Sequence, residues 1–324
     1  MGQLIDGKWH DTQLITASSK GEFQRAPSSY RNWITKDGSP GPSGIGGYTP
    51  ESGRYHLFVS FACPWAHRTL IFRELKGLTD HIDISVVASD MFDKGRTFDP
   101  TEDGATGDRL FGSDYMHEIY SRADPTANTR VTVPVLWDTH TNTIVSNESS
   151  EIIRMFNSAF NDLTGNTIDF WPENLRDAIA TINDRIYDTL NNGVYRSGFA
   201  QNQGAYAAAV TELFDTLDFL EARLGQSRFL MGSEITEADL RLWPTLVRFD
   251  PVYHYHFKCN IRRLRDYPNL WGFTRDIYQM PGIADTVNLA HIKGHYYRSY
   301  ESVNPLRIVP KGPEIDFWEP HGRA

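Results

Sequence analysis

Cysteine is scarce in this chain. Cys63 and Cys259 are the two in 324 residues, too few for a disulfide framework. Their scarcity fits a reducing compartment, where a retained cysteine is either buried and inert or reactive. Basic residues are also in the minority: 32 Lys and Arg face 41 Asp and Glu, for a net charge of −9. No long basic run appears, so no nucleic-acid or anionic-membrane surface is expected. No stretch approaches the ~18 apolar residues of a membrane span. The opening MGQLIDGKWH has no apolar signal region and carries Asp6 where a myristoylation motif has Ser or Thr. These absences point to a cytoplasmic protein. What is present is an ordinary globular composition, 40% hydrophobic and 13% aromatic, in a chain long enough for two domains.

Residues 1–53 show little periodicity, and GSPGPSGIGG (38–47) has loop composition. They read as an N-terminal extension. RYHLFVSFA (54–62) alternates as a half-buried strand, and a helix is predicted from Pro64, with Gly77 as its stop. IDISVV (82–87) completes a strand–helix–strand unit. A turn-rich segment with one helix near SDYMHEIYSRA leads to RVTVPVLWD (130–138), a strand pattern broken by Pro134. NTIVSNESSEIIRMFNSAF then offers a strand running into a helix, with Ser146 or Asn147 as cap and Glu148 and Glu151 suiting its electropositive start. Beyond FWPENL the signals are helical to about 290, including a capping box at Thr236 and Asp239. The expected organisation is an extension (1–53), an α/β domain (54–160), an all-helical domain (170–295) and a Pro/Gly-rich surface tail (296–324).

Cys63 falls where strand pattern gives way to helix pattern. Pro64 suits the first helical position, since its missing N–H would have no intrahelical partner there. The N–H groups and dipole of a helix start favour negative charge on sulfur, and the thiolate is the reactive form. The competing reading is a small buried residue, because free cysteine is among the most buried types. His67 and Arg68, one turn on, either assist the thiolate or face solvent. Ala66 stands three residues after Cys63, so a Cys-x-x-Cys switch is excluded and any redox partner is an external thiol.

Val133-Pro134 inside a strand pattern suggests a cis peptide beside a backbone edge that can bind an extended ligand; the alternative is an edge strand with an ordinary trans proline. Glu148 and Ser149 at a helix start suit the amino and carboxylate ends of a peptide, or are plain caps. Cysteine before proline, strand proline and Glu-Ser before a helix follow the order of a thioredoxin-like glutathione site.

On CPWAHR (63–68), RVTVPVLWD, IVSNESSEIIRMFN (144–157), NNGVYRSGFA (191–200), LRLWPTLVRFDPVYHYHFKCN (240–260), DIYQMPGIADTVN and HIKGHYYRS, the chain resembles the glutathionyl-hydroquinone reductases, the Xi-like class of the glutathione transferase superfamily. The resemblance runs nearly end to end. It implies a thioredoxin-like N-terminal domain, an all-α C-terminal domain, a homodimer, and reduction of S-glutathionyl-hydroquinones by glutathione as co-substrate. It makes Cys63 the nucleophile and gives glutathione binding to Arg130, Val131, Thr132, Val133, Glu148 and Ser149. Tyr195 handles a proton, and Tyr253 and Tyr296 support the thiolate. These three are among fifteen tyrosines, and nothing in their local sequence singles them out. The family usually has tryptophan where this chain has Arg96 in DKGRTFD, a position over bound glutathione. Arginine there either pairs with a glutathione carboxylate or leaves a looser site. His254 and His256 in HYHF lack the companions a metal site needs, so no metal is expected, and Cys259 reads as structural. Rival readings are an omega-like thiol transferase or dehydroascorbate reductase, and a non-catalytic transferase-like scaffold, against which Cys63 argues.

Overall fold

The structure, a computed structural model, describes residues 2–11 and 16–323; positions 12–15 of the expected extension lie outside the described residues. Two compact units divide the chain. The first comprises the described residues before position 12 with Ala26–Asp169 and Ala290–His295, and the second the described residues up to Arg25 with Phe170–Leu289 and those from Tyr296 onward.

In the first unit, β1 (Gln3–Ile5) and β2 (Lys8–His10) form a hairpin. A four-stranded sheet is built from β3 (Tyr55–Val59), β4 (Asp83–Val86), β8 (Val135–Asp138) and β9 (Thr143–Ser146), in the order β4-β3-β8-β9. β3 runs parallel to β4 and antiparallel to β8, and β8 antiparallel to β9. Helix α1 (Pro64–Leu75) connects the parallel pair, and α3 (Ser149–Ser158) follows β9. This mixed sheet with its helices is thioredoxin-like. Between β4 and β8 come the two-residue strands β5 (Met91–Phe92) and β6 (Gly95–Arg96), helix α2 (Met116–Ala123) and β7 (Thr129–Arg130).

Three expectations need correction here. β3 is not half-buried: all five residues are buried, because it is an interior strand covered on both faces. Its polar members find partners, His56 Nε2 with Ser85 Oγ at 2.7 Å and Tyr55 Oη donating to the Thr49 carbonyl at 2.6 Å. Burial pushes the His56 imidazole down to about 4. Second, of the two readings at Val133-Pro134, the edge strand with an ordinary trans proline is the one that fails. The Val133-Pro134 bond is cis, and the strand resumes as an interior one at Val135, one residue past the proline. Third, residues 1–53 do not stand apart. β1 pairs with β7, Gln3 opposite Arg130 and Leu4 opposite Thr129, and Tyr30 to Asn32 run along β9, with Asn32 N–H donating to the Val145 carbonyl.

Helix α1 stops as expected, with Gly77 at φ 67°, a left-handed turn that a side chain would strain. After α3 the short α4 (Asn161–Thr164) ends this stretch of the chain.

The second unit is helical. α5 (Arg176–Ile186) passes through a π turn at Tyr187–Asn191 into α6 (Gly193–Gly198). The long α7 (Gln203–Leu224) and α8 (Glu237–Leu246) follow, then a second π turn at Phe249–Tyr253, the one-turn α9 (His254–His256), α10 (Pro268–Tyr278) and α11 (Leu289–Ser299), whose Ala290–His295 stretch belongs to the first unit. The capping box of α8 forms as its spacing predicts. α11 is regular across position 296, where the tail was expected to begin. The tail beyond it is irregular but anchored: Phe317 is buried, and the Arg323 guanidinium donates to the carbonyls of Leu224, Ser227 and Arg228 where α7 ends. Among the described residues no helix is long and apolar enough to cross a membrane.

Candidate active site

Cys63 is the N-cap of α1, with Pro64 in the first helical turn. It is 8% exposed, at the edge of burial rather than deep within it. Its Sγ donates to the Val133 carbonyl at 3.4 Å, so α1 and the residue before the cis proline meet at the sulfur. His67 and Arg68 do not face solvent; both are buried, and the Arg68 guanidinium lies 4.6 Å from the Trp65 ring centroid. Cys259 differs in kind. It is fully buried, and that burial pushes its thiol up to about 12.

Arg130 to Val133 form an extended segment leading to the proline. Tyr120 on α2 holds its middle: Tyr120 Oη donates to the Thr132 carbonyl at 3.0 Å and accepts from Thr132 N–H at 3.3 Å. Asn147 Nδ2 donates to the same hydroxyl at 3.1 Å, tying this segment to the start of α3. Among the described residues the Val133 N–H has no hydrogen-bond partner, so Val133 keeps a backbone donor for a ligand strand.

The cap of α3 is neither Ser146 nor Asn147. Ser146 Oγ accepts from Glu148 N–H, and Asn147 Oδ1 accepts from Tyr30 N–H. Glu148 itself is the N-cap, accepting from Ser150 N–H at 3.0 Å and Ser150 Oγ at 2.7 Å, with Ser28 Oγ at 2.9 Å on its second oxygen. Burial works against its charge, but these bonds and the Arg68 cation outweigh it and hold the carboxyl below the usual range. Glu148 is therefore a fixed anion, and Ser149, buried beside it, opens a helix whose first N–H groups lack intrahelical acceptors. Glu151 is taken by Arg31. Arg96 lies on the β5–β6 hairpin, and its Nη1 is buried with no hydrogen-bond partner among the described residues. A stranded guanidinium donor is one an incoming acceptor would satisfy.

The tyrosines come together in the second unit. Tyr195 on α6 and Tyr296 on α11 share a hydrogen bond of 2.6 Å, and Tyr296 shares another of 3.0 Å with Tyr253, at the end of the second π turn. Burial first, and then the neighbouring phenols, raise Tyr253 and Tyr296 well above the ordinary phenol range. Both therefore keep their protons, and either phenol of each pair can be the donor. Their rings pack with Phe257 and Tyr300 in an aromatic cluster, Tyr253 stacked on Phe257 and edge-on to Tyr296. Among the described residues no group of three or more His, Cys, Asp and Glu is placed to hold a metal ion.

Sequence reasoning missed Tyr120, Ser28 and the β1–β2 hairpin that pairs with Arg130. The hairpin had a readable signal. Asp6-Gly7 is a favoured two-residue hairpin turn, and both residues take positive φ, 48° and 71°. Tyr120 and Ser28 carried none, because their partners are 12 and 120 residues away.

Residues 62–159 match the model described as glutathione S-transferase, N-terminal domain, and residues 203–276 that described as glutathione S-transferase, C-terminal domain. The chain is 58% identical to the glutathionyl-hydroquinone reductase YqjG of Escherichia coli, over 100% of this chain and 98% of the relative. The glutathione-bound structure of YqjG matches at a TM-score of 0.93 and 55% identity, covering 99% of each chain. The glutathionyl-hydroquinone reductase PcpF of Sphingobium chlorophenolicum is 51% identical over 97% of this chain and 96% of its own length. A Xi-class transferase structure from Natrialba magadii matches at a TM-score of 0.90 and 46% identity, covering 100% of this chain and 96% of that one. With identity of this order along the whole length, and matches to both transferase domain models, the chain belongs to the glutathionyl-hydroquinone reductases, the Xi class of the glutathione transferase superfamily.

Proposed function

We propose that the protein reduces S-glutathionyl-hydroquinones to free hydroquinones at the expense of glutathione, with Cys63 as nucleophile. The observation that carries this reading is the placement of Cys63, a thiol at the start of α1 whose sulfur touches the Val133 carbonyl. In a conjugating transferase a hydroxyl commonly donates to the glutathione sulfur and stabilises its thiolate. A cysteine thiolate there would repel a second thiolate, but it can attack a glutathione sulfur already bonded to carbon.

Glutathione binding falls to the first unit. Val133 supplies backbone hydrogen bonding along the peptide, with Arg130, Val131 and Thr132 shaping the same edge. The Glu148 carboxylate takes the ligand's ammonium, and the start of α3 at Ser149 takes a carboxylate. Arg96 pairs with another carboxylate of the ligand.

The chemistry balances in two steps. Tyr195 gives a proton to the ring carbon bearing sulfur, and the ring hydroxyl gives its own proton back to Tyr195, leaving the keto tautomer. Cys63 thiolate attacks the glutathione sulfur. The carbon–sulfur bond breaks, its electron pair restores the aromatic ring, and the resulting oxyanion takes a proton from solvent. Carbon is reduced, and the two sulfurs, now a Cys63–glutathione disulfide, are oxidised. A second glutathione, as thiolate, attacks the glutathione sulfur of that disulfide, releasing oxidised glutathione and Cys63 thiolate. The hydrogen-bonded phenols suit the first step when Tyr253 donates to Tyr296 and Tyr296 to Tyr195, because a phenol that accepts a hydrogen bond parts with its own proton more readily. We place the enzyme in the cytoplasm as a homodimer, on the strength of the family and the cysteine content.

The test is a pair of assays on one preparation. Glutathionyl-hydroquinone should be turned over efficiently, with oxidised glutathione and hydroquinone formed in equal amounts, while conjugation of glutathione to an aryl halide is weak. Strong conjugation without deglutathionylation would overturn the reading.

A further inference from the structure

Residues 16–25 form a small strap in the second unit. Ala17 bridges Phe23 in antiparallel fashion, and Gln24 N–H donates to the Thr16 carbonyl at 2.9 Å. The strap is pinned where α6 gives way to α7: Gln201 N–H donates to the Gly21 carbonyl at 3.0 Å, and Asn202 Nδ2 to the Lys20 carbonyl at 2.8 Å. Gly21 makes this approach possible. Its φ is 77°, and a Cβ there would lie 2.4 Å from Asn202 Nδ2. Phe23, 7% exposed, packs its ring 5.4 Å from Phe199 and 6.4 Å from Tyr195.

At the end of the strap the Arg25 guanidinium lies 4.8 Å from the Tyr195 ring centroid and 5.4 Å from that of Phe23. Its Nε donates to Asn192 Oδ1 at 2.9 Å. Asn192 caps α6, the helix that carries Tyr195, so the cation and the phenol are fixed to one short frame. A cation over an aromatic face is attracted to the ring, and far more strongly once that ring carries a phenolate charge.

We propose that Arg25 is a positioning residue for the reaction, stabilising the phenolate that Tyr195 becomes as it gives its proton to the hydroquinone ring. This inference rests on the deglutathionylation reading and extends it to a residue of the N-terminal strap. Of the two half-reactions only the first passes a proton through Tyr195; resolution of the Cys63–glutathione disulfide by a second thiol does not. Arg25 therefore acts on the first alone.

The experiment follows each half-reaction by intact mass in Arg25→Met, Arg25→Lys, Tyr195→Phe and the Arg25→Met/Tyr195→Phe double variant. Adduct formation on Cys63 from a glutathionyl-hydroquinone should slow roughly tenfold in Arg25→Met, the effect of about 1.4 kcal/mol on the barrier. Arg25→Lys, which keeps the cation, should recover most of that rate. Cleavage by glutathione of the same disulfide, preformed with oxidised glutathione, should proceed at the wild-type rate in Arg25→Met. In the Tyr195→Phe background Arg25→Met should have no further effect. Wild-type adduct formation in Arg25→Met, equal slowing of both half-reactions, or an undiminished effect in the Tyr195→Phe background each overturns the inference while leaving the deglutathionylation reading standing. Absence of any Cys63 adduct in the wild-type protein overturns that reading, and this inference with it.

Discussion

At the scale of single residues, the two cysteines separate cleanly. Cys63 caps a helix at the margin of burial, whereas Cys259 is fully buried with its thiol pushed up to about 12. Replacing Cys63 with Ala should lower turnover on the order of a thousandfold or more and leave the fold intact, because alanine is tolerated at that position. Cys259→Ala should keep its activity, and iodoacetamide should label Cys63 in the native protein and Cys259 only after unfolding. An inactive Cys259 variant would reverse the assignment. Arg96 also gains a direction. Its stranded buried Nη1 favours pairing with a ligand carboxylate over a merely looser site. Arg96→Trp should then weaken glutathione binding by about 1.5–3 kcal/mol, more at low ionic strength than at high, as read by titration calorimetry; tighter binding would mean the arginine only leaves a gap. The position of Cys63 was legible because Cys-Pro at a strand-to-helix seam has a local physical meaning. The tyrosines were not, because what distinguishes Tyr195, Tyr253 and Tyr296 is that their hydroxyls meet across 101 and 43 residues of chain.

At the scale of elements, α1 and α8 were readable to the residue at their starts, since proline at a first helical position and a Thr-x-x-Asp capping box act locally. The cap of α3 stays open in the sequence for the opposite reason: Ser146 and Asn147 are preferred cap types, and Glu148 reads as a cap only in the alternative, but Glu148 Oε1 accepts from Ser150 within the same turn while Asn147 serves Tyr30 and Tyr120. The β1–β2 hairpin escaped notice because strands of three residues show almost no alternation. The α8 box carries more than a cap. Asp239 accepts from Leu230 N–H at 2.7 Å, Thr236 N–H at 2.8 Å and Thr236 Oγ1 at 2.9 Å, all in the interior. Asp239→Ala strands these donors and should cost on the order of 3 kcal/mol, visible as a lower Tm. Burial raises the Asp239 carboxyl to about 6, despite those bonds. A carboxyl whose folded value exceeds its unfolded one favours the fold more as pH falls through the folded value. The cost of the substitution should therefore grow as pH is lowered from 7 to 5, and a cost that shrinks over that interval would contradict the assigned shift.

At the scale of the whole molecule, the order of an α/β half and a helical half was legible from the change of apolar period after FWPENL. The division of the N-terminal residues was not: the β1–β2 hairpin belongs to the first unit and the strap before Arg25 to the second. Neither segment has a core of its own, so its place is set by distant partners rather than by its composition. Chemically, the central claim is that Cys63 takes glutathione from a carbon–sulfur bond. The most direct measurement is the intact mass of the purified protein after exposure to a glutathionyl-hydroquinone with no other thiol present. The account predicts one glutathionyl group per chain, located on Cys63 by peptide mapping, with one equivalent of hydroquinone released. Hydroquinone released with Cys63 unmodified, or a glutathionyl group found on Cys259, would contradict it.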